Sequence, residues 1–394
     1  MIRTVIFFVG SPVEQAHFDE LGIEFLSTIF HKVELWDISP LVISHYQRSF
    51  IRDQILSDKY RIFLNKDELH SSLSTLGSDS FIITPVPYHS KTFFFYHFLY
   101  KSKIPFAIFT SKRNIDVSLK SSFVSRIQRV TLKGIIRRAF TFLPLFYLAF
   151  VRKVPKARFI LPVGGLRAIE ELKYGWQKYV VDSTSQIIWT HSHDYETYLK
   201  INKNLLEEHQ KKYFVFLDVF NPFAPEYLAL HLDPVVSANE YYQKLRHFFD
   251  LIEHEYNVKV IIAAHPRSDY EHHPDYFGGR KVIRRRTAEL VKEAEGVICE
   301  GSTSVGFGVL YKKPILFITM KYSNNAWKEY IDLLAATLGK TPINIDTQSY
   351  IFDRKKELEI SEKKYLEYKN LYLKKNGTND VSMWGTIADA IKDL

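Results

Sequence analysis

The chain has 394 residues, which is too long for one ordinary hydrophobic core and fits two domains of under 200 residues each. Its residues are 46% hydrophobic, 25% charged and 15% aromatic, a globular composition that argues against disorder. The one cysteine, Cys299, excludes a disulfide framework and indicates a reducing compartment.

The formal net charge of +9 is concentrated in one segment. Thirteen basic residues and one acid lie between Lys112 and Arg167, so the rest of the chain is slightly acidic. No apolar run approaches the roughly 20 residues of a transmembrane helix. The opening apolar stretch ends at Gly10 and is too short for a signal peptide, so it is predicted to be a buried strand.

The first half alternates short apolar strands with helical stretches. Strands are predicted over 3–9, 32–36, 81–84 and 106–109, with a helix over 13–30. This alternation favours βαβ units and a parallel sheet. Residues 1–185 are therefore predicted to form a Rossmann-like acceptor domain, although they lack a G-x-G-x-x-G fingerprint.

Residues 120–158 mix large apolar residues with basic ones. Arg126, Arg129, Lys133 and Arg137 have the spacing of a single helical face. Such a helix can lie in the interface of an anionic membrane, and a core-facing helix pair with a solvated basic face is the alternative. No nucleic-acid-binding motif accompanies the charge. The expectation is a cytoplasmic protein, peripheral at the inner face of the membrane, that does not bind nucleic acid.

The second half has the more regular pattern. Strands are predicted over 213–218, 258–263, 296–299 and 314–318, and helices over 239–256 (Asn239 as its cap), 287–294 and 302–311. Residues 186–394 are therefore predicted to be a second Rossmann-like domain, closed by a helix over 381–394. Two such domains facing a cleft predict an α/β chain of the GT-B fold, with the donor at the carboxyl edge of the second sheet.

Two turns at that edge carry the candidate donor-binding residues. One strand ends at His265-Pro266-Arg267, where a histidine can donate a hydrogen bond to a phosphate or protonate a leaving group. The segment Gly301-Ser302-Thr303-Ser304 follows another strand and opens a helix, so its N–H groups and hydroxyls suit an anion. An ordinary strand-end turn and simple N-capping by Ser302 or Ser304 are the alternatives.

The two turns together resemble those of bacterial sialyltransferases and related transferases that use CMP-sialic acid or CMP-Kdo. The His-Pro pair, the Ser-Thr-Ser about 37 residues later and the following strand at Pro314–Phe317 carry this resemblance, over roughly residues 186–320. It implies that His265, Ser302, Thr303 and Ser304 contact the nucleotide phosphate. It also implies a CMP-activated 2-keto sugar acid as donor and a surface glycan, such as lipopolysaccharide or capsule polysaccharide, as the lipid-linked or oligosaccharide acceptor. No further cofactor and no metal are expected.

The catalytic carboxylate is not given by the resemblance. Many bacterial sialyltransferases carry two consecutive acids followed by glycine, and this sequence has no such tripeptide. Asp218, at the end of a strand, is the first candidate for a nucleophile or general base, and a turn aspartate is its alternative. Asp194 and Glu226 are reserve candidates. His191, His193 and Asp194 have a composition that suits a metal, but their spacing supplies no further ligand.

Three other functions stay open at the level of sequence. A CDP-alditol phosphotransferase of the teichoic-acid type would use the same two turns. A GT-B transferase of UDP- or GDP-sugars would need an acid to bind the donor ribose, and Glu300 is the only one nearby. A membrane-surface scaffold would bind no nucleotide.

Overall fold

The computed structural model describes residues 1–43, 55–110, 153–172, 176–203, 212–223, 234–273, 275–322, 325–347, 350–392 and 394. Of these, residues 1–193 and 374–394 form one compact unit, the first domain, and residues 194–373 form the second domain. Residues 120–152 of the predicted basic apolar segment lie outside the described residues. Its last residues, 153–158, are described and lead into a strand of the first domain. Among the described helices, none has the length and apolar content needed to span a bilayer.

The first domain is built on a parallel sheet of seven described strands. In chain order these are β1 (Thr4–Val9), β2 (Lys32–Asp37), β3 (Tyr60–Ile62), β4 (Ser80–Thr84), β5 (Phe106–Thr110), β6 (Phe159–Pro162) and β7 (Gln186–Ile187). Their order across the sheet is β3-β2-β1-β4-β5-β6-β7. The described helices of this domain are α1 (Gln15–Glu20), α2 (Ile23–Leu26), α3 (Ser39–Val42), α4 (Lys66–Ser74), α5 (Phe93–Ser102) and a C-terminal helix (Met383–Ile391).

The second domain repeats this plan with six described strands. They are β8 (Tyr213–Leu217), β9 (Lys259–Ala264), β10 (Val282–Arg284), β11 (Gly296–Cys299), β12 (Ile315–Thr319) and β13 (Ile343–Asn344), in the order β10-β9-β8-β11-β12-β13. Its described helices are α6 (His193–Lys203), which begins one residue before the domain boundary, α7 (Ala238–Tyr256), α8 (Thr287–Glu293), α9 (Val305–Leu310), α10 (Asn325–Thr337), α11 (Arg354–Leu358) and α12 (Glu362–Tyr368).

Both sheets have the Rossmann strand order. In each, the first strand is central, two strands follow on one side, and the chain then crosses to build the other side. The central strands are buried on both faces, as β8 and β12 are along their whole length, because helices cover both sides of a parallel sheet. The prediction of an α/β chain with two Rossmann-like domains, the pair of domains that a GT-B fold contains, is confirmed. The cleft between them stays a prediction.

The C-terminal helix, α13 (Met383–Ile391), belongs to the first domain. Its Trp384 is 2% exposed and meets Phe7 and Phe109 edge-on, at ring-centroid distances of 5.7 and 5.9 Å. The prediction that placed this helix in the second domain is therefore wrong, because its apolar face packs on the N-terminal sheet. Sequence periodicity shows that a helix has an apolar face but not which sheet covers it.

The same tryptophan explains why the predicted helix 13–30 is broken. Gly22 separates α1 from α2 and has a φ of +63°. A Cβ atom there would come within 2.4 Å of the Trp384 ring, so only glycine permits this close approach. In the second domain, α7 is capped by the hydroxyl of Ser237, which accepts a hydrogen bond from the N–H of Glu240, and not by Asn239 as predicted.

Candidate functional site

The candidate site lies at the carboxyl edge of the second sheet, where the strand order reverses between β8 and β11. Ligands of doubly wound folds bind at this switch point. Leu217 pairs with Ala263 of β9 on one side and with Cys299 of β11 on the other. The next residue, Asp218, therefore lies between the ends of β9 and β11.

The carboxylate of Asp218 joins two of the loops at this edge. Its Oδ2 accepts hydrogen bonds from the N–H of His265 at 3.0 Å and from the hydroxyl of Tyr270 at 2.9 Å. Its Oδ1 accepts one from the N–H of Phe220 at 2.9 Å. The residue is 4% exposed, and burial raises the pKa of its carboxyl to about 6, although the hydrogen bonds act in the opposite direction.

The orientation of the His265 ring is fixed by its own turn. Its Nδ1 accepts a hydrogen bond from the N–H of Arg267 at 3.2 Å, so a neutral ring carries its hydrogen on Nε2. The ring lies nearly parallel to that of Phe220, with 10° between the planes and 6.3 Å between the centroids. The side chain is half-buried, while Pro266 is exposed. The hydrogen bond that the His265 N–H donates to Asp218 and the contacts within the turn together position this imidazole.

Phe220 adopts a backbone conformation that is costly for a bulky residue. Its φ is +54°, and its side chain is 5% exposed. A non-glycine residue in the left-handed region costs about 1–3 kcal/mol and persists only where the surroundings impose it. Here the Asp218 carboxylate binds the Phe220 N–H, and the ring packs edge-on against Tyr270 at 5.6 Å. Such strain is concentrated at functional sites.

Glu300, at the end of β11, is enclosed by hydrogen-bond donors. Its Oε1 accepts from the Tyr322 hydroxyl at 2.6 Å and from Asn221 Nδ2 at 3.2 Å, and its Oε2 accepts from the Tyr241 hydroxyl. It is 0% exposed, and burial raises the pKa of its carboxyl to about 7. The negative charge of Asp218 adds to this rise.

Tyrosines of α7 connect to both buried acids, one directly and one through Tyr270. Tyr241 donates to Glu300, while the next residue, Tyr242, lies with its hydroxyl 3.1 Å from that of Tyr270, which donates to Asp218. Both α7 tyrosines are at most 1% exposed. The two carboxylates thus belong to one buried polar region that spans the switch point.

The Gly301–Ser304 turn differs from its prediction. The helix begins at Val305 and not at Ser302, and has only six residues. The hydroxyl of Ser302 is buried and accepts a hydrogen bond from the N–H of Ser304 at 3.3 Å, while Ser304, the N-cap residue, makes no side-chain capping hydrogen bond. Thr303 is exposed and Ser304 half-buried. Gly301 has a φ of +95°.

Asp194 lies beside the same short helix. A Cβ atom on Gly306, in the first turn of α9, would come within 3.0 Å of Asp194 Oδ2, so the carboxylate lies against that glycine. A negative charge at a helix start is favoured by the helix dipole. Asp194 therefore places a carboxylate close to where the sequence predicts a phosphate.

Arginine side chains add positive charge next to His265. Arg284 pairs in register with Ala264 and is followed by Arg285 and Arg286, both exposed. Arg284 donates to the Ser268 carbonyl at 3.2 Å and forms an ion pair with Glu271 at 3.2 Å, which ties the loop after His265 to β10. The edge next to His265 thus favours an anionic ligand.

The remaining candidates lie elsewhere or outside the described residues. Glu226 is in residues 224–233, which are not described. His191 belongs to the first domain, and its ring nitrogens lie 3.1 and 3.0 Å from the carbonyl oxygens of Ser192 and Val381. His193 packs near the ring of Trp384. Within the described ranges, no three His, Cys, Asp or Glu side chains are grouped to hold a metal ion.

The structure thus brings together Asp218 and His265, as the strand ends predict, with Glu300 across the switch point. Sequence reasoning missed the contacts of Glu300, Tyr241 and Tyr270. The one sequence signal for Glu300 was a charged residue directly after a buried strand. Tyr241 and Tyr270 gave no signal, because tyrosine is equally common in an ordinary core.

No family model matches the chain, and no curated protein matches it. Similar solved structures include the UDP-GlcNAc 2-epimerase of Methanocaldococcus jannaschii in complex with UDP-GlcNAc and UDP (13% identity, 99% of each chain covered, TM-score 0.44). Others are Acinetobacter baumannii MurG (7%, 100% of each chain, 0.48) and Phytolacca americana UGT2 with UDP-2-fluoro-glucose and pterostilbene (11%, 100% of each chain, 0.46). At these identities and TM-scores they establish neither a family nor an activity for this chain.

Proposed function

We propose that this chain is a nucleotide-sugar-dependent glycosyltransferase that binds its donor at the carboxyl edge of the second sheet. The observation that carries the proposal is the fixed His265 turn at the switch point. The Asp218 carboxylate accepts a hydrogen bond from its backbone N–H, the Arg267 N–H donates to its ring, and Arg284 of β10 pairs in register with the preceding residue, Ala264. A site of this kind suits the phosphate of a nucleotide.

The chemistry required of the site is stabilisation of a leaving phosphate. Transfer of a sugar passes through an oxocarbenium-like transition state while negative charge grows on the departing nucleotide. The Nε2 hydrogen of His265 can be donated to that phosphate, and Arg267 adds positive charge in the same turn. The acceptor hydroxyl forms the new bond to the sugar as the bond to the phosphate breaks, and a carboxylate takes its proton.

The donor that we propose is a CMP-activated 2-keto sugar acid, such as a nonulosonate or Kdo. Two turns support this donor, and both lie at the carboxyl edge of the second sheet. The His-Pro turn follows β9 and the Ser-Thr-Ser turn follows β11, with β8 between these two strands. Arg285 and Arg286 extend the positive charge along that edge, which suits a donor whose sugar carries a carboxylate of its own.

Asp218 can act as a positioning residue instead of a nucleophile or general base. Both of its oxygens accept hydrogen bonds from the protein, and 4% of the residue is exposed. We propose that it positions His265 and that the carboxylate for catalysis is supplied by another residue. Asp194 and Glu226 stay predictions for that role.

A CDP-alditol phosphotransferase is the second candidate function. The same fixed histidine and arginines would bind its pyrophosphate, and no feature of the donor edge distinguishes the two. A UDP- or GDP-sugar transferase is less well supported. The acid that it would use to bind the ribose, Glu300, is enclosed by Tyr241, Tyr322 and Asn221.

The acceptor that we propose is a lipid-linked or oligosaccharide surface glycan, bound with the help of the first domain at the inner face of the membrane. This follows from the basic apolar segment 120–158 and stays a prediction.

The proposal is tested by thermal unfolding of the purified chain with CMP, CDP, UDP and GDP. Wild type is compared with His265→Ala and with His254→Ala, a matched control. His254 is an exposed histidine of the same domain in the last turn of α7, which precedes the amino end of β9. We expect CMP to give the largest stabilisation, His265→Ala to abolish it, and His254→Ala to retain it.

Each other outcome has a definite meaning. Stabilisation that is largest with CDP favours the phosphotransferase, and stabilisation that is largest with UDP or GDP excludes the keto-sugar donor. If no nucleotide stabilises the chain, or if His265→Ala responds as wild type does, the proposal of a donor site at this edge is refuted.

A further inference from the structure

A basic groove lies at the amino edge of the sheet of the first domain. It occupies about 540 Å³ between the C-terminal end of α5 and the amino ends of β5 and β6. Rossmann-like domains bind their ligands at the carboxyl edge of the sheet, so this position is not that of a donor or acceptor site.

The floor of this groove is apolar and its rim is positively charged. Ile104 and Phe106 in the floor are 5% and 1% exposed. The rim carries Lys101, Lys103, Lys156 and Arg158, all four exposed, and no acidic side chain lines the groove among the described residues. This combination suits an anionic amphiphile better than a wholly polar anion.

Local structure accounts for only part of this charge. Lys101 and Lys103 stand at the C-terminal end of α5, where a helix dipole favours cations. Lys156 and Arg158 lie on a different segment, which leads into β6. Lys156 Nζ is held by the Tyr179 carbonyl at 2.6 Å, and the Arg158 guanidinium lies 5.7 Å from the Phe159 ring. Helix capping therefore does not explain why two segments place four cations around one apolar floor.

We infer that this groove binds the headgroups of an anionic phospholipid surface and holds the first domain on it. Charge complementarity supports a surface of this kind, since each basic side chain near an anionic bilayer strengthens binding about fivefold. Tyr100, which is 40% exposed and lines the groove, is a residue type enriched at membrane interfaces. The inference shares residues 155–158 with the predicted basic apolar segment, and otherwise rests on α5 and the start of β5.

The inference also fixes an orientation for the first domain. The amino edge of its sheet faces the lipid, and the carboxyl edge faces away from it. The strands that separate the two edges have about five residues, or roughly 17 Å of extended chain. A lipid-linked acceptor with an extended glycan would span this distance, whereas a sugar attached directly to the lipid headgroup would not.

The experiment is co-sedimentation of the full chain with phosphatidylcholine vesicles and with vesicles that contain phosphatidylglycerol as well. The test variant is the double substitution Lys103→Gln and Arg158→Gln. The matched control is Lys259→Gln with Lys281→Gln, which removes two exposed positive charges from the second domain. We expect wild type to bind only the anionic vesicles, the test variant to bind them about 10- to 30-fold more weakly, and the control to bind as wild type does.

The outcomes are separable from those of the donor proposal. Thermal shift with CMP should be unchanged in the test variant, and it also shows that the variant is folded. The inference is overturned if wild type ignores anionic vesicles, or if test and control variants bind them equally. It is also overturned if inorganic phosphate stabilises the chain in a way that needs Lys103 and Arg158 while vesicles do not bind, because the groove would then take a free anion.

Discussion

The buried carboxyl of Glu300 should make the second domain less stable as the pH rises through neutrality. Its pKa is raised from 4.5 to about 7 in the folded chain by burial. A group whose pKa is raised on folding binds more protons in the folded state, so its contribution is fully present below the unfolded pKa and is lost as the pH rises through the folded one. For Glu300 the window is therefore about pH 4.5 to 7.

The size of the effect follows from the two pKa values. Between pH 5 and pH 8 the linkage relation gives a loss of about 2–3 kcal/mol for this one group. Replacing it by Glu300→Gln removes the titration. We therefore expect the free energy of unfolding of wild type to fall about 2–3 kcal/mol more than that of the variant over this pH range.

Urea-induced unfolding at pH 5 and pH 8 measures the difference, with hydrogen exchange of β8 and β11 peptides to show that the second domain is responsible. Glu295→Gln, an exposed acid directly before β11, is the control and should leave the pH dependence of wild type unchanged. If Glu300→Gln has the same pH dependence as wild type, Glu300 does not titrate in this window and the reasoning is refuted.

Three further perturbations probe the same edge. Gly301→Ala should lower the free energy of unfolding in urea by about 2 kcal/mol or more, because the φ of Gly301 is +95° and three side chains lie within 3.3 Å of the added Cβ atom. Gly279→Ala is the control: its φ is +74° but no atom lies within 4 Å of the added Cβ, so it should show only the cost of the backbone strain. Tyr270→Phe should lower the free energy of unfolding by about 1–3 kcal/mol, and by more at pH 8 than at pH 5, because the lost hydrogen bond goes to the Asp218 carboxylate, whose pKa is about 6. An equal loss of stability at the two pH values would contradict this reasoning. Asp218→Asn should lower CMP affinity in thermal shift as His265→Ala does if it positions the histidine, whereas intact affinity with lost donor turnover would identify a catalytic carboxylate.

Strand positions could be predicted well from the sequence, and helix ends less well. Four of the six described strands of the second domain are short apolar runs bounded by polar residues, and their predicted bounds agree with the structure within about one residue. The short edge strands β10 and β13 were not predicted. The break at Gly22 could not be predicted, because it depends on the ring of Trp384, more than 350 residues away in the chain. The placement of the C-terminal helix failed for the same reason: local patterns do not encode which distant sheet an apolar face meets.

The candidate site could be predicted as far as backbone topology determines it. Parallel strands bring their carboxyl ends to one edge, so Asp218, His265 and Glu300 had to lie along that edge once the strands were recognised. The direction of each side chain was not predictable. Asp218 was expected to face a ligand, but its oxygens accept from Phe220, His265 and Tyr270.

The energetic cost of this edge is itself an argument for function. The buried carboxyls of Asp218 and Glu300 each lower the stability of the fold near neutral pH by about 3 kcal/mol. The left-handed backbone of Phe220 lowers it by about 1–3 kcal/mol more. A fold that needed only packing would place apolar residues at these positions, as it does along β8 and β11 themselves. The cost is concentrated where β8 and β11 end, and the part of it at Asp218 and Phe220 holds the His265 turn in one orientation. A residue that must meet a ligand in one geometry explains this concentration, whereas general fold stability does not.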